Sequence, residues 1–226
     1  MKKIVIAIDG PAGAGKSTVA QIVAQRLGYI YIDTGAMYRA ITWQVIQANL
    51  NTQDIVAIGG LAATSQIDLQ YTKQGQLIVL ANGQDVTAKI RTPEVTAMVA
   101  ELSQIAAVRE ALLKLQRNMA GSGGVVMDGR DIASRVLPNA DVKIFLTASI
   151  EERARRRWVE LKAKGYAVDL EDLSKEIAER DKKDYERENS PLVQTKDAIL
   201  VDTTALTIDE TVNEILKICE GKMCRV

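Results

Sequence analysis

The chain has 226 residues, 47% of them hydrophobic, with 29 basic and 29 acidic side chains and no histidine. That length and apolar content suit one sizeable α/β domain with a small insertion. The balanced charge excludes a globally basic nucleic-acid coat, and the missing imidazole excludes Ser-His-Asp triads, Cys-His pairs and His-ligated zinc.

In chain order, "KKIVIAID" is a short buried strand; its lysines lead straight into it with no signal-peptide cleavage pattern, so a cytoplasmic location is expected. Lys16–Leu27 carries helical spacing and ends at Gly28. "YIYID" is a second strand, and residues 35–50 and 52–64 read as helices. "IDLQYTKQGQLIVLANGQDVT" then changes character: β-type segments broken by "KQG" and "NG" are hairpin signals, and predict a small antiparallel insertion over about residues 65–90. After "IRTPE", helical patterns run from Val95 to about Ala120, where "GSGG" breaks them. "VVMD" and "DVKIFLTA" are buried strands, residues 149–164 and 170–189 are charged helices, "AILVDTT" is the last strand, and residues 207–220 form an amphipathic helix. Cys219 and Cys224 match no common metal or redox spacing and read as ordinary thiols. One Phe and two Trp are too few for an extended base-stacking platform, and no apolar run approaches the roughly 20 residues that span a bilayer. Alternating strands and helices predict a parallel sheet covered on both faces, with functional loops at the carboxyl ends of its strands.

The loop after the first strand carries the strongest motif. "GPAGAGKST", residues Gly10, Pro11, Ala12, Gly13, Ala14, Gly15, Lys16, Ser17 and Thr18, fits the P-loop pattern and predicts a nucleoside-triphosphate site. Gly13 and Gly15 let backbone N–H groups point at phosphate oxygens, and the next helix aims its positive end there. Lys16 reaches the β- and γ-phosphates, and Ser17 can hold Mg²⁺. Such a loop serves switch GTPases, motor ATPases, DNA-acting ATPases and small-molecule kinases alike, so the acceptor site must discriminate.

Charge gathers in three other places. "DTGAMYR" puts Tyr38 and Arg39 on the first turns of a helix. "VVMDGRDIASR" delivers Asp128, Arg130 and Asp131 to the sheet's carboxyl edge, where Asp128 can contact Mg²⁺ through water. In the two charged helices, Arg153, Arg156 and Arg157 share one side, and Arg180, Asp184 and Arg187 share another. For most of these charges the pattern fits a solvated, salt-bridged helix pair, yet a mobile arginine-bearing hairpin also suits a lid that closes over a transferring phosphoryl group.

Together, "GPAGAGKST", "DTGAMYRA", "IRTPEV", "VREALLKLQR", "MDGRDI", "EERARRR", "ERDKKDYERENSPL" and "ILVDTTALTIDE" resemble the bacterial cytidylate kinases, a nucleoside monophosphate kinase family, from end to end. The resemblance implies a P-loop NTPase three-layer α/β/α core with a parallel sheet (1–64, 91–150 and 190–226), an inserted antiparallel NMP-binding subdomain (about 65–90) and a helical Arg-rich lid (about 151–189). It implies transfer of the γ-phosphoryl group of ATP to CMP or dCMP, with Mg²⁺, in a cytoplasmic monomer that engages neither nucleic acid nor membrane. Lys16, Arg39, Arg130, Arg153 and Arg157 would be the catalytic cations. Arg39 and Arg130 would clamp the CMP phosphate with Tyr38 and Thr34 nearby, Arg109 and Asp131 would face the cytosine, and Arg180, Asp184 and Arg187 would hold ribose and phosphate. Thr34 stands where the family pattern has serine, and Ala100 where a serine is expected to help contact cytosine. A kinase for UMP, AMP or a sugar acid, a nucleotide switch or polynucleotide-stimulated ATPase, and a nucleotide-sensing module are the rival readings.

Overall fold

The computed structural model describes residues 3–72 and 74–223. The elements begin with β1 (Val5–Asp9), α1 (Lys16–Leu27), β2 (Ile30–Asp33), α2 (Thr34–Gln47) and α3 (Ile55–Thr64). β3 (Ile67–Tyr71), β4 (Leu77–Ala81), β5 (Gln84–Asp85), α4 (Pro93–Leu102) and α5 (Ala106–Ala120) follow. The chain closes with β6 (Val125–Gly129), a π-helical turn (Ile132–Val136), β7 (Val142–Thr147), α6 (Ile150–Ala163), α7 (Leu170–Glu186), β8 (Ile199–Asp202) and α8 (Ile208–Met223). Two compact units result: Met1–Tyr31 with Ser122–Val226, and Ile32–Gly121.

In the first unit, β1 lies at the centre of a sheet ordered β2-β6-β1-β7-β8. It pairs in parallel with β6 from Val5 opposite Val125 to Asp9 opposite Gly129, and with β7 from Ile6 opposite Val142 to Asp9 opposite Phe145. β7 pairs in parallel with β8. β1 and β6 are short, almost entirely buried runs, the pattern of strands covered on both faces. α1 and α8 close one face, packing Val19, Val23, Val212 and Ile215 on Ile6, Ile144 and Leu146. Each such side chain contributes about 1.5–3 kcal/mol by leaving water. The shared register ends β1 and β6 at one level, so the loops after Asp9 and Gly129 leave the sheet side by side. Gly10 has φ +150°, and a Cβ there would sit 1.9 Å from the Leu146 carbonyl oxygen; only glycine lets the loop start against β7.

α6 and α7 form a hairpin. Ser149 caps α6 by accepting from Glu152 N, and Asp169 caps α7 by accepting from the amides of Glu171 and Asp172. Ala154, Leu173 and Ile177 make its small core, with Trp158, Leu161 and Val168 packed against them. α7 stops at Glu186, three residues short of the predicted end, because Arg187 turns extended and donates from Nε to Ser190 O.

In the second unit, β3 and β4 pair antiparallel from Ile67 opposite Ala81 to Tyr71 opposite Leu77, and β5 extends the sheet. The predicted "NG" turn is there: Asn82 and Gly83 both have positive φ, 50° and 78°, the type I′ requirement. Asp54 caps α3 and Thr92 caps α4, with Pro93 at the first helical position. The helical stretch to Ala120 is two helices. Its break at residues 103–105 is pinned where Arg109 Nη1 donates to Ser103 O at 2.9 Å. The parallel sheet flanked by helices and the small antiparallel sheet both agree with the expected fold. No helix among the described residues is long and apolar enough to cross a membrane.

Candidate active site

In the first unit the P-loop joins β1 to α1, and Gly15 (φ 88°) turns the chain into the helix. Lys16 is buried, and its Nζ donates to Pro11 O at 2.7 Å. Burial first, then the Arg130 guanidinium and more weakly Arg180, depress its pKa well below 10.5; Asp128 and Asp184 oppose that. These four groups from β6, its following loop and α7 are therefore Lys16's electrostatic neighbours. Ser17 Oγ donates to Asp128 Oδ2 at 2.9 Å, and Tyr31 from β2 donates to Asp128 Oδ1 at 2.8 Å. A hydroxyl and a carboxylate are thus adjacent at the start of α1, both hard oxygen donors.

Arg130 Nε meets Asp184 Oδ2 at 2.7 Å. Arg187 Nη1 lies 3.9 Å from Asp184 Oδ1, and its Nη2 3.9 Å from Asp131 Oδ1. Burial works against charge on Asp184, yet Arg130, Arg180 and Arg187 outweigh it and hold the carboxyl below its ordinary range. So the structure gathers Lys16, Asp128, Arg130, Asp131, Arg180, Asp184 and Arg187 beside the P-loop.

The arginines of α6 divide. Arg153 is buried and donates to Ala12 O at 3.0 Å and Ala148 O at 2.9 Å, while its Nη1 pairs with Asp181 Oδ2 at 2.6 Å. It fastens the P-loop backbone to both α6 and α7. Arg156 holds Thr203 O at 2.7 Å and Thr203 Oγ1 at 3.0 Å, tying α6 to the segment after β8. Arg157, on the same helix side in sequence, points outward to Glu160 at 2.8 Å.

The second unit carries Thr34, Tyr38, Arg39 and Arg109. Thr34 is buried at the start of α2, whose N-cap Asp33 accepts from Ala36 N. Arg39 Nη1 donates to Thr96 Oγ1 at 2.9 Å and Ile90 O at 3.3 Å. The Arg109 guanidinium stacks over the Tyr38 ring at 5.6 Å. Ala100 offers only its carbonyl, which accepts from Ser103 Oγ and Gln104 Nε2, both at 3.1 Å. Of the nearest hydroxyls in sequence, Ser103 is engaged by that carbonyl and Thr96 by Arg39.

Sequence reasoning missed Asp9, Tyr31, Asp181 and Thr203. Asp9 had a signal: an acidic residue closing a buried apolar strand. Tyr31 had none, since its alternation in "YIYID" fits a core aromatic, which it also is. Cys219 is buried, which pushes its thiol up to about 12 and leaves it unreactive; Cys224 lies outside the described residues.

A sequence profile of the family described as cytidylate kinase matches residues 6–221. A cytidylate kinase of Lysinibacillus sphaericus is 54% identical over 222 residues, covering 98% of this chain and 99% of that protein. One of Ligilactobacillus salivarius is 55% identical over 222 residues, with the same coverage. Among solved structures, the shikimate kinase of Acinetobacter baumannii in complex with shikimate superposes with a TM-score of 0.50 at 14% identity, over 97% of this chain and 94% of that one. At that identity the likeness bears on the fold alone.

Proposed function

The chain belongs to the cytidylate kinase family, and from that membership we infer that it transfers the γ-phosphoryl group of ATP to CMP or dCMP, giving ADP and CDP or dCDP. The observation that supports the site assignment is the charged cluster after the P-loop: Asp128 bonded to Ser17 beside Lys16, and Asp184 paired with Arg130 and Arg187. A charged cluster beside a P-loop is what a phosphate acceptor requires and a bare nucleotide sensor does not.

ATP takes residues 10–18. The loop's amides and the start of α1 face its phosphates, and Lys16 follows the charge that moves to the transferring group. Mg²⁺ fits the oxygens present: Ser17 would hold it directly and Asp128 through water, with Tyr31 steadying that carboxylate. When bound, the ion neutralises charge on the β- and γ-phosphates. Arg153 supports the phosphates through its bond to Ala12 O. Arg157 is the exchangeable lid cation, since an exposed pair such as Arg157–Glu160 is worth only about 0–1 kcal/mol.

For the acceptor, Arg39 and Arg130 neutralise the phosphate with Tyr38 and Thr34 beside it, and Arg180, Asp184 and Arg187 serve ribose and phosphate. Asp131 accepts from the cytosine amino group, and Arg109 donates to its ring acceptors. Uracil reverses both partners, at about 1–3 kcal/mol for each buried mismatch. The attacking oxygen is an ionised phosphate oxygen, so no general base is needed, in keeping with a chain that has no histidine. Catalysis is in-line positioning and charge neutralisation. The lid spans about residues 151–189 and the NMP-binding insertion about 65–90, in a monomer acting in the cytoplasm.

A panel of acceptors with ATP and Mg²⁺, read as ADP formation, tests this. ADP should appear with CMP and dCMP, weakly with UMP, and not without acceptor. Hydrolysis independent of acceptor, or stimulated by polynucleotide, would overturn it.

A further inference from the structure

Asp9 ends β1 and stands directly before Gly10, yet none of the roles above uses its side chain. It is 1% exposed. Its two oxygens go to two successive amides far along the chain: Oδ1 accepts from Ile132 N at 2.8 Å, and Oδ2 from Ala133 N at 2.7 Å. Those amides open the π-helical turn Ile132–Val136. Inside the turn, the bonds run from the amides of Arg135, Val136 and Leu137 back to Asp131 and Ile132 carbonyls. The first amides therefore need an acceptor from elsewhere.

The residue in the N-cap position is Asp131, a type that ordinarily supplies this acceptor itself. Here its side chain makes no capping bond, and its Oδ1 is turned to within 3.9 Å of Arg187. Asp9 does the capping instead, from the sheet's central strand, where it pairs with Gly129 just before Arg130. The arrangement opposes burial, which chiefly raises the Asp9 pKa to about 6, with Asp131's charge adding; the two amides and Lys16 work the other way. π turns of this kind concentrate at functional sites.

We propose that Asp9 is a positioning residue for acceptor recognition: by capping the turn from outside, it relieves Asp131 of that duty and orients the Asp131 carboxylate toward the base. This rests on the assignment of Asp131 to cytosine made above.

The test compares Asp9→Asn, Asp131→Asn and the double variant by steady-state kinetics with CMP, UMP and ATP. Asparagine keeps one acceptor but turns an NH₂ against the other amide. Asp9→Asn should raise KM for CMP roughly tenfold and lower the CMP:UMP preference about as much, with KM for ATP and kcat at saturating CMP within about twofold. In the Asp131→Asn background it should add no further loss of preference. If Asp131→Asn leaves the preference intact, the reading of Asp131 fails and this inference with it. If Asp131→Asn shifts the preference but Asp9→Asn does not, acts only on ATP or kcat, or adds to Asp131→Asn, the inference alone fails. Should Asp9→Asn not fold, Asp9→Glu, which moves the carboxylate by one methylene, is judged by the same criteria.

Discussion

Replacing Lys16 by methionine separates function from stability. The perturbation removes a buried ammonium and leaves an unbranched apolar side chain. Against the change, Pro11 O loses its donor, a loss of about 1–3 kcal/mol. In its favour, the ammonium no longer sits desolvated with the Arg130 and Arg180 guanidiniums nearby; desolvation alone costs several kcal/mol per ion, and two carboxylates only partly offset it. The balance favours the variant by about 1–3 kcal/mol, which for a chain of this length is a rise in Tm of roughly 2–12 °C. Turnover should move the other way: in the role proposed for Lys16, its loss removes a donor to developing phosphoryl charge, and kcat should fall by at least about 10²–10³. The pH dependence has a definite sign. The folded pKa of Lys16 lies well below 10.5, so between that value and 10.5 the unfolded chain binds the extra proton. Wild-type stability therefore gains on the variant as pH rises through that window, and the gap narrows. Calorimetry at several pH values, with a coupled ADP assay, measures both effects. A variant that is less stable than wild type at pH 7, or that keeps near-normal turnover, would refute the reasoning.

Tyr31→Phe removes one donor from Asp128 and should raise the Mg²⁺ needed for half-maximal nucleotide binding by roughly tenfold. Titration calorimetry checks this, and an unchanged Mg²⁺ dependence would rule Tyr31 out of the metal's support. Asp181→Asn leaves the Arg153 guanidinium buried without its carboxylate, and should cost about 3–5 kcal/mol in denaturant unfolding, with faster amide exchange in α6 and α7. Arg157→Ala should leave stability within about 0.5 kcal/mol, since its partner Glu160 is exposed, while lowering kcat if Arg157 transfers to the ATP phosphates. A kcat equal to wild type would confine Arg157 to the surface.

The local features were legible because contiguous residues specify them. The P-loop follows from glycines that admit backbone N–H groups to one point, and the β4–β5 turn from an Asn-Gly pair that tolerates positive φ. The arginine runs of α6 and α7 were visible too, but not which way each points. Spacing put Arg153, Arg156 and Arg157 on one side, whereas packing gave Arg153 to Ala12 O, Arg156 to Thr203 and Arg157 to Glu160.

By itself, the order of residues determined the strands, most helices, the phosphate loop and the roster of charges near it. Only the tertiary structure decided the partners, joining Tyr31 to Asp128 across 97 residues and Asp9 to Ile132 across 123. The reason is physical. Backbone preference and periodicity act within a few residues, whereas a buried carboxylate takes whichever donor the sheet register sets beside it.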